Sequence, residues 1–589
     1  MLKVTKYLLV LLLNLLLVGQ AIANADLDAL TKKYHDFNVN EEHIMFDGKR
    51  YDFSLKANQR REIFLNNLYQ DFEALDTSTF NSKEKLEYSK FEYVLKTKIN
   101  FYHYKAYLMP VTLKRSRYSW YVYDLNSYRA KLKSKFKAEQ YLKMIKLFNK
   151  EVDDLIELMR EGIAQGITPS RNDFKNFESI FENYIFSKPE MTLEFKAFKK
   201  LGNDIPEKEK VQLIENAKEV IRTVSMPAWK RLYDFIITEY RPHLRTSIGI
   251  NSIVNGEKYY QALIEQNTGA KLTKEEIHNL GIEELARIHL EMQKIMDSFG
   301  FKGSIQEFAD FLQKEPLSFA TSAKDLLKEI SLISNNINKS FLQLFKSQTQ
   351  IPFVVEEMDA ARAASGYYAY YSPGSLESRR PGVFYMNTTN LKNAPLYELE
   401  ALVLHEGVPG HHYELSRSRQ TQSAIRDYYF TAFTEGWGLY AESLGAELGL
   451  YQTRETLFGR YVYEAYRAAR LVVDTGIHSM GWSREEAIQF FSEASGKPRP
   501  ESENQIDRYI SMPGQALSYK VGEINFQNLR KKAEEELGNN LDIREFHEVL
   551  LEDGSAPFTY LEKKVDEAIT SGRLRLKDSI DMPSIQIAN

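Results

Sequence analysis

Three of the eleven histidines fall within eight residues, in Leu404-His405-Glu406-Gly407-Val408-Pro409-Gly410-His411-His412-Tyr413-Glu414. Imidazole nitrogen is a favoured zinc ligand, and a glutamate beside a metal ligand can take a proton from metal-activated water. The stretch thus carries the groups of a hydrolytic metal centre. In the His-Glu-x-x-His form the two histidines stand one helical turn apart and reach one ion. Here position i+4 is Pro409, and the next candidates are His411 at i+6 and His412 at i+7. On an unbroken helix these rise about 9 Å and about 10.5 Å, whereas two nitrogens on one zinc stand no more than about 4 Å apart. A straight helix fails that test. Pro409 lacks an N–H and Gly410 tolerates backbone angles other residues avoid. Pro-Gly is therefore suited to looping out two residues and swinging His411 back to where i+4 would stand.

A third ligand is needed. Phe433-Thr434-Glu435-Gly436-Trp437-Gly438-Leu439-Tyr440-Ala441-Glu442 offers Glu435, 24 positions after His411. That distance allows the first helix to end and a second to return. Gly436 and Gly438 are small enough for close helix packing. Phe433, Trp437 and Tyr440 make the setting apolar, where an unpaired carboxylate is costly and a cation partner is expected.

His-Glu-x-x-Pro-Gly-His-His followed by Glu-Gly-Trp-x-x-Tyr-x-Glu resembles the family called domain of unknown function 885, with family-like features from about Gly256 to Gly522. That family is similar in motif to the helical gluzincin peptidases: angiotensin-converting enzyme, thimet oligopeptidase and carboxypeptidase Taq. Their motif reads His-Glu-x-Gly-His, so Pro409-Gly410 marks a two-residue insertion, after which either His411 or His412 stands at the second ligand position. The resemblance implies a mainly α, zincin-like fold with a small antiparallel sheet beside the zinc helix and a deep central cleft. It implies one zinc ion on His405, His411 and Glu435, with Glu406 as general base and short peptides as substrates. Glu442, seven residues after Glu435, is placed to orient a histidine ligand, with Asp474 a weaker candidate.

A zinc peptidase also needs a neutral donor for the oxyanion, and a tyrosine O–H serves while uncharged. Tyr509 and Tyr519 are the candidates, in a block Asp507-Arg508-Tyr509 … Pro513-Gly514-Gln515 … Tyr519 that looks like the family's, and His478 is third. Residues 351–390 break the helical rhythm with short β-type runs at 353–355, 369–371 and 383–387. In the resembling peptidases an edge strand there binds substrate backbone. Tyr371 and Tyr385 then flank the cleft, Arg379 and Arg380 could meet a peptide C-terminus, and Arg508 is a further carboxylate partner.

The elements around these residues are helical. Tyr141, Met144, Ile145, Phe148, Val152, Leu155, Ile156 and Met159 recur at three and four residues, the stripe of an amphipathic helix. Thr273 and Glu276 form a capping box, followed by a core stripe of Ile282, Leu285, Ile288, Met292 and Ile295. His278 and His289 on that helix read as structural. The aromatic run Tyr118–Tyr123 fits strand or helix equally. Residues 1–25, with Lys3 and Lys6 ahead of an apolar Tyr7–Val18, read as a signal peptide or, alternatively, an uncleaved anchor. Residues 26–245 form an N-terminal helical region expected to cover the cleft, and 246–589 the zinc-binding region, with the boundary in Thr246–Gly256.

With no cysteine, disulfides and lipid attachment through cysteine are excluded. A net charge of −4 with both signs interspersed gives no footprint for nucleic acid. The sequence points to a periplasmic or secreted zinc hydrolase of short peptides, with no integral membrane domain beyond the leader. Two other readings remain open, a zinc hydrolase of another amide or an ester, and a non-catalytic helical binding protein with a structural metal site.

Overall fold

The computed structural model describes residues 26–41, 51–112, 132–175, 188–315, 318–359, 368–419 and 428–576, with a few isolated residues between these segments. The leader and the Tyr118–Tyr123 run lie outside the described residues. The protein is mainly α with one small sheet. It divides into two compact units, one of Met1–Leu263, Gly476–Arg484 and Gln505–Pro513, the other of Ile264–Thr475, Glu485–Asn504 and Gly514–Asn589.

The first unit is built on α1 (Lys135–Gln165), which Ser134 caps by accepting the Lys137 N–H. All eight residues of the expected stripe are buried along it. They pack against Trp229, Leu232, Phe235 and Ile236. The composition shift at Thr246–Gly256 lies inside this unit, because packing rather than composition sets its limit: Tyr260 lies against the His478 ring at 5.4 Å. His478, Arg508 and Tyr509 therefore belong to the first unit.

In the second unit α2 (Lys274–Ser298) begins at the reciprocal Thr273/Glu276 capping box. Its buried face runs through Ile277, Gly281, Leu285, Ile288 and Met292. Ile282 is exposed, which corrects the expected stripe. Gly281 holds the buried position because α2 runs tight against Leu471 and Val472 there, and a Cβ on it would stand 2.7 Å from Val472 Cγ2.

The sheet comprises β1 (Phe353–Glu357), β2 (Ala369–Ser372) and β3 (Gly382–Met386), in the order β1-β3-β2. β2 pairs antiparallel with β3, but β1 pairs parallel with it. The sheet is mixed, not antiparallel as expected, because β3 returns between the two earlier strands instead of adding beside β2 alone. It leaves β1 and β2 as the edges.

Five helices then build the site: α3 (Leu399–Glu406), α4 (His411–Ser418), α5 (Thr431–Ser443), α6 (Arg454–Ser479) and α7 (Ser518–Leu537). Under them Phe345, Trp437, Phe526 and His547 form an aromatic floor.

Candidate metal centre

The helix that carries His405 stops where the sequence says it must. α3 ends at Glu406, and the last bond runs from Gly407 N–H to Val403 O at 2.8 Å. Val408-Pro409-Gly410 makes the turn, and α4 begins at His411. His412 N–H donates back to Gly407 O at 3.1 Å, which closes the loop on itself. Gly410 is required at this bend, since a Cβ there would stand 2.1 Å from His405 O. The His405 and His411 rings end up 4.5 Å apart, centre to centre. The loop has removed the axial separation that a straight helix would impose.

The third group comes from α5, which crosses α7 at two glycines. A Cβ on Gly436 would lie 2.4 Å from Gly522 C, so only glycine permits this approach. One residue earlier stands Glu435. Gly438 faces the other way and makes room for the His405 ring, because a Cβ on it would meet His405 Cε1 at 2.6 Å. Between them Trp437 Nε1–H donates to Pro409 O at 2.8 Å, tying α5 to the loop.

His405, His411 and Glu435 converge. Each imidazole Nε2 lies 3.5 Å from Glu435 Oε2, and the three ligand atoms all lie within 4.8 Å of one another. Ligands about 2.0–2.2 Å from a tetrahedral ion stand about 3.3–3.5 Å apart, and both histidine–glutamate distances match that spacing. The His405 and His411 side chains are almost fully buried, and that of Glu435 is 16% exposed. Burial alone would depress the pKa of His405, but the Glu435 and Glu442 carboxylates outweigh it and hold the imidazole up at about 9. Burial likewise opposes ionisation of Glu435, and the two imidazoles overcome it and hold its carboxyl well below the usual range. The cluster is electrostatically built for a cation at its centre.

Glu442 stands behind His405. Its Oε1 accepts from His405 Nδ1 at 2.8 Å and meets Arg467 Nη2 at 3.2 Å. His405 Nδ1 thus donates to Glu442, and Nε2, turned to Glu435, is the atom that would hold a metal. His412 points elsewhere. Its Nδ1 lies 2.8 Å from the Tyr371 hydroxyl, and it bonds the Ile351 backbone. Burial lowers its pKa to about 4, so it is a neutral clamp between the loop and the sheet.

The other anticipated residues are placed as follows. Glu406 is buried on the last turn of α3, next to His405. Tyr519 is buried in the unit that carries the His-His-Glu cluster, one turn before Gly522 on α7, with the Arg470 guanidinium 4.1 Å from its ring centre. In the first unit, Tyr509 is buried with its hydroxyl 3.3 Å from Gln505 Oε1. His478 does not fit an oxyanion donor: its Nδ1 accepts from Ile250 N–H at 3.1 Å and its Nε2 donates to Tyr509 O at 3.0 Å, so both ring nitrogens serve the backbone. Asp474 accepts from Gly514 N–H at 3.0 Å. Arg508 lies 3.3 Å from Gln505 Oε1, while the Asp507 carboxylate is held by Arg484. Arg380 is exposed and donates to Pro373 O at 3.0 Å. Tyr385 stacks on Tyr370 at 4.9 Å across the β2–β3 pair. Sequence reasoning missed Arg467 and the Trp437–Pro409 bond, neither of which has a linear spacing signal.

Fold and site together define a mainly helical protein with a buried His-His-Glu cluster built on a looped-out histidine motif. The chain belongs to the family described as bacterial protein of unknown function (DUF885), which it matches over residues 38–565. It is similar in structure to a candidate lipoprotein from Colwellia psychrerythraea, with TM-score 0.83 and 23% identity over 93% of this chain and 99% of that one. A candidate lipoprotein of unknown function from Shewanella oneidensis superposes with TM-score 0.70 and 17% identity over 92% and 98% of the two chains. A Pyrococcus furiosus carboxypeptidase gives TM-score 0.28 at 12% identity over 87% of this chain and 97% of that one, too low to carry an argument. No curated protein matches the chain.

Proposed function

We propose that the protein is a zinc-dependent hydrolase that cleaves peptide bonds of short peptides. The observation that carries this reading is the convergence of His405, His411 and Glu435 at zinc-ligand spacing with a glutamate, Glu406, next in the chain to the first ligand. A zinc ion held by these three residues would supply Lewis-acid polarisation and lower the pKa of a water molecule. Glu406 accepts the proton of the attacking water and delivers it to the leaving amine. Tyr519 donates its neutral O–H to the developing oxyanion. It is preferred to Tyr509 because it lies in the metal-bearing unit on the helix that crosses α5. An edge of the sheet receives substrate backbone, with Tyr371 and Tyr385 alongside it. Arg380 is the candidate for a substrate carboxylate. A structural site has no need of a base, so the presence of Glu406 supports hydrolysis over metal storage.

The reading of residues 1–25 as a signal peptide favours action outside the cytoplasm, in the periplasm or beyond the cell. The description of two structurally similar proteins as candidate lipoproteins agrees with that placement. Incubation with a mixed peptide library, with and without chelator, tests the function. Chelator-sensitive products read by mass are expected, and an unchanged library would remove the peptidase reading.

A further inference from the structure

One buried carboxylate beside the metal cluster has no part in the scheme above. Glu414 lies on α4 three residues after His411, on the same helix face, and is 0% exposed. Its Oε1 accepts from the Ser418 hydroxyl at 2.6 Å, and Ser418 Oγ in turn accepts from Ser555 N–H at 3.1 Å. The other oxygen, Oε2, is buried with no hydrogen-bond partner. The same is true of His411 Nδ1, whose ring presents Nε2 to Glu435. A donor and an acceptor, one turn apart and both buried, are left unsatisfied. A buried polar atom left in that state is costly, and each of the two is what the other lacks.

His405 shows what the complete arrangement looks like, with Glu442 on its Nδ1 at 2.8 Å. A metal held at His411 Nε2 would leave the ring's proton on Nδ1, a donor in need of an acceptor. We infer that Glu414 is the positioning residue for His411, closing on its Nδ1–H when the site is loaded, so that each histidine ligand is backed by its own buried glutamate. Ser418, anchored by Ser555, holds the carboxylate at the correct height. The inference rests on the metal-centre reading given above.

The test uses the full chain and zinc or cobalt alone as probe. Zinc dissociation constants come from chelator competition, and the visible spectrum of the cobalt-loaded protein reports ligand geometry directly. Glu414→Gln keeps the size, and with its one oxygen accepting from Ser418 it puts an amide NH2, a donor, where the free carboxylate oxygen stood. It is expected to raise the zinc dissociation constant about 10–100-fold and shift the cobalt bands, with the melting temperature of the metal-free protein little changed. Ser418→Ala, which removes only the hydroxyl that holds the carboxylate, is expected to move both readouts in the same direction by less, and it decides the matter should Glu414→Gln not fold. Wild-type affinity and an unshifted cobalt spectrum in the folded variant overturn the inference while His411→Ala still abolishes binding. If instead the wild type binds no zinc, or His405→Ala and His411→Ala bind it as tightly, the metal centre itself is refuted and Glu414 with it.

Discussion

His405 Nδ1 lies 2.8 Å from Glu442 Oε1, and the same oxygen lies 3.2 Å from Arg467 Nη2. The Arg467 guanidinium thus fixes the carboxylate that the imidazole meets, and hydrogen bonds made between such groups are among the stronger ones. Replacement of Glu442 by Gln should leave His405 in place but weaken its hold on a metal. We expect zinc affinity to fall about 10–100-fold, measured by chelator competition, with secondary structure intact by circular dichroism. Unchanged affinity would show that the ring is positioned by packing alone.

Packing does matter at Gly438. A methyl group there would stand 2.6 Å from His405 Cε1 and 2.7 Å from Nδ1, inside any real contact distance. Gly438→Ala must therefore push the ring or shift α5 away from α3. An overpacking cost of about 1–3 kcal/mol is expected, together with a loss of zinc affinity as His405 leaves its place beside Glu435. Thermal unfolding and metal titration check the two halves separately, and a variant as stable and as tight-binding as wild type would contradict the glycine's role.

The two neighbouring histidines should behave in opposite ways. His411 faces Glu435, whereas His412 faces Tyr371 and the sheet. His411→Gln is expected to abolish zinc binding, and His412→Gln to retain roughly one equivalent with reduced stability because a buried bond to Tyr371 is weakened. Metal analysis of the two purified variants distinguishes them. Loss of zinc in both would mean that the clamp on the sheet is as necessary as the ligand.

Glu406 should matter to turnover and not to binding. Its carboxylate is not among the three converging groups, so Glu406→Gln leaves the zinc content at wild-type level. Removal of a general base costs typically 10²–10⁴-fold, and kcat should fall by about that factor in a peptide-cleavage assay. Undiminished turnover in the zinc-loaded variant would remove the proposed mechanism.

The site was far more legible in the sequence than the contacts that hold it. Pro409-Gly410 announces a loop because neither residue can continue α3, and simple helix rise then shows that the histidines converge only if the loop returns. Glu435 and Glu442 are visible as helix neighbours seven apart. What linear spacing cannot convey is the identity of a partner on another element. His478 looks available in the sequence, yet Ile250 and Tyr509 occupy both its nitrogens. Asp474 sits on a suitable helix and accepts from Gly514 N–H. Ile282 matches an apolar stripe by type, but the close approach of Leu471 and Val472 gives its place to Gly281. The parallel β1–β3 pairing depends on where β3 inserts, which three short apolar runs do not encode.

Buried histidines away from the metal cluster set a pH dependence of stability. Burial holds His547 at about 3, with its Nδ1 bonded to Leu344 O and its Nε2 to the Tyr440 hydroxyl. His478 is held at about 3 in the same way. An imidazole in the unfolded chain titrates near about 6.5. Between those values the unfolded chain binds a proton that the folded protein refuses, so stability rises with pH across the window. The contribution is complete above the unfolded value and is lost as pH falls towards 3. One such histidine removes about 2 kcal/mol between pH 7 and pH 5 by this linkage. His547→Gln keeps a donor for Leu344 O and an acceptor for the Tyr440 hydroxyl but cannot titrate. Its unfolding free energy should therefore fall by about 2 kcal/mol less than that of the wild type over the same interval, read from urea unfolding at the two pH values. Parallel losses in the two proteins would show that His547 is not held neutral in the folded state.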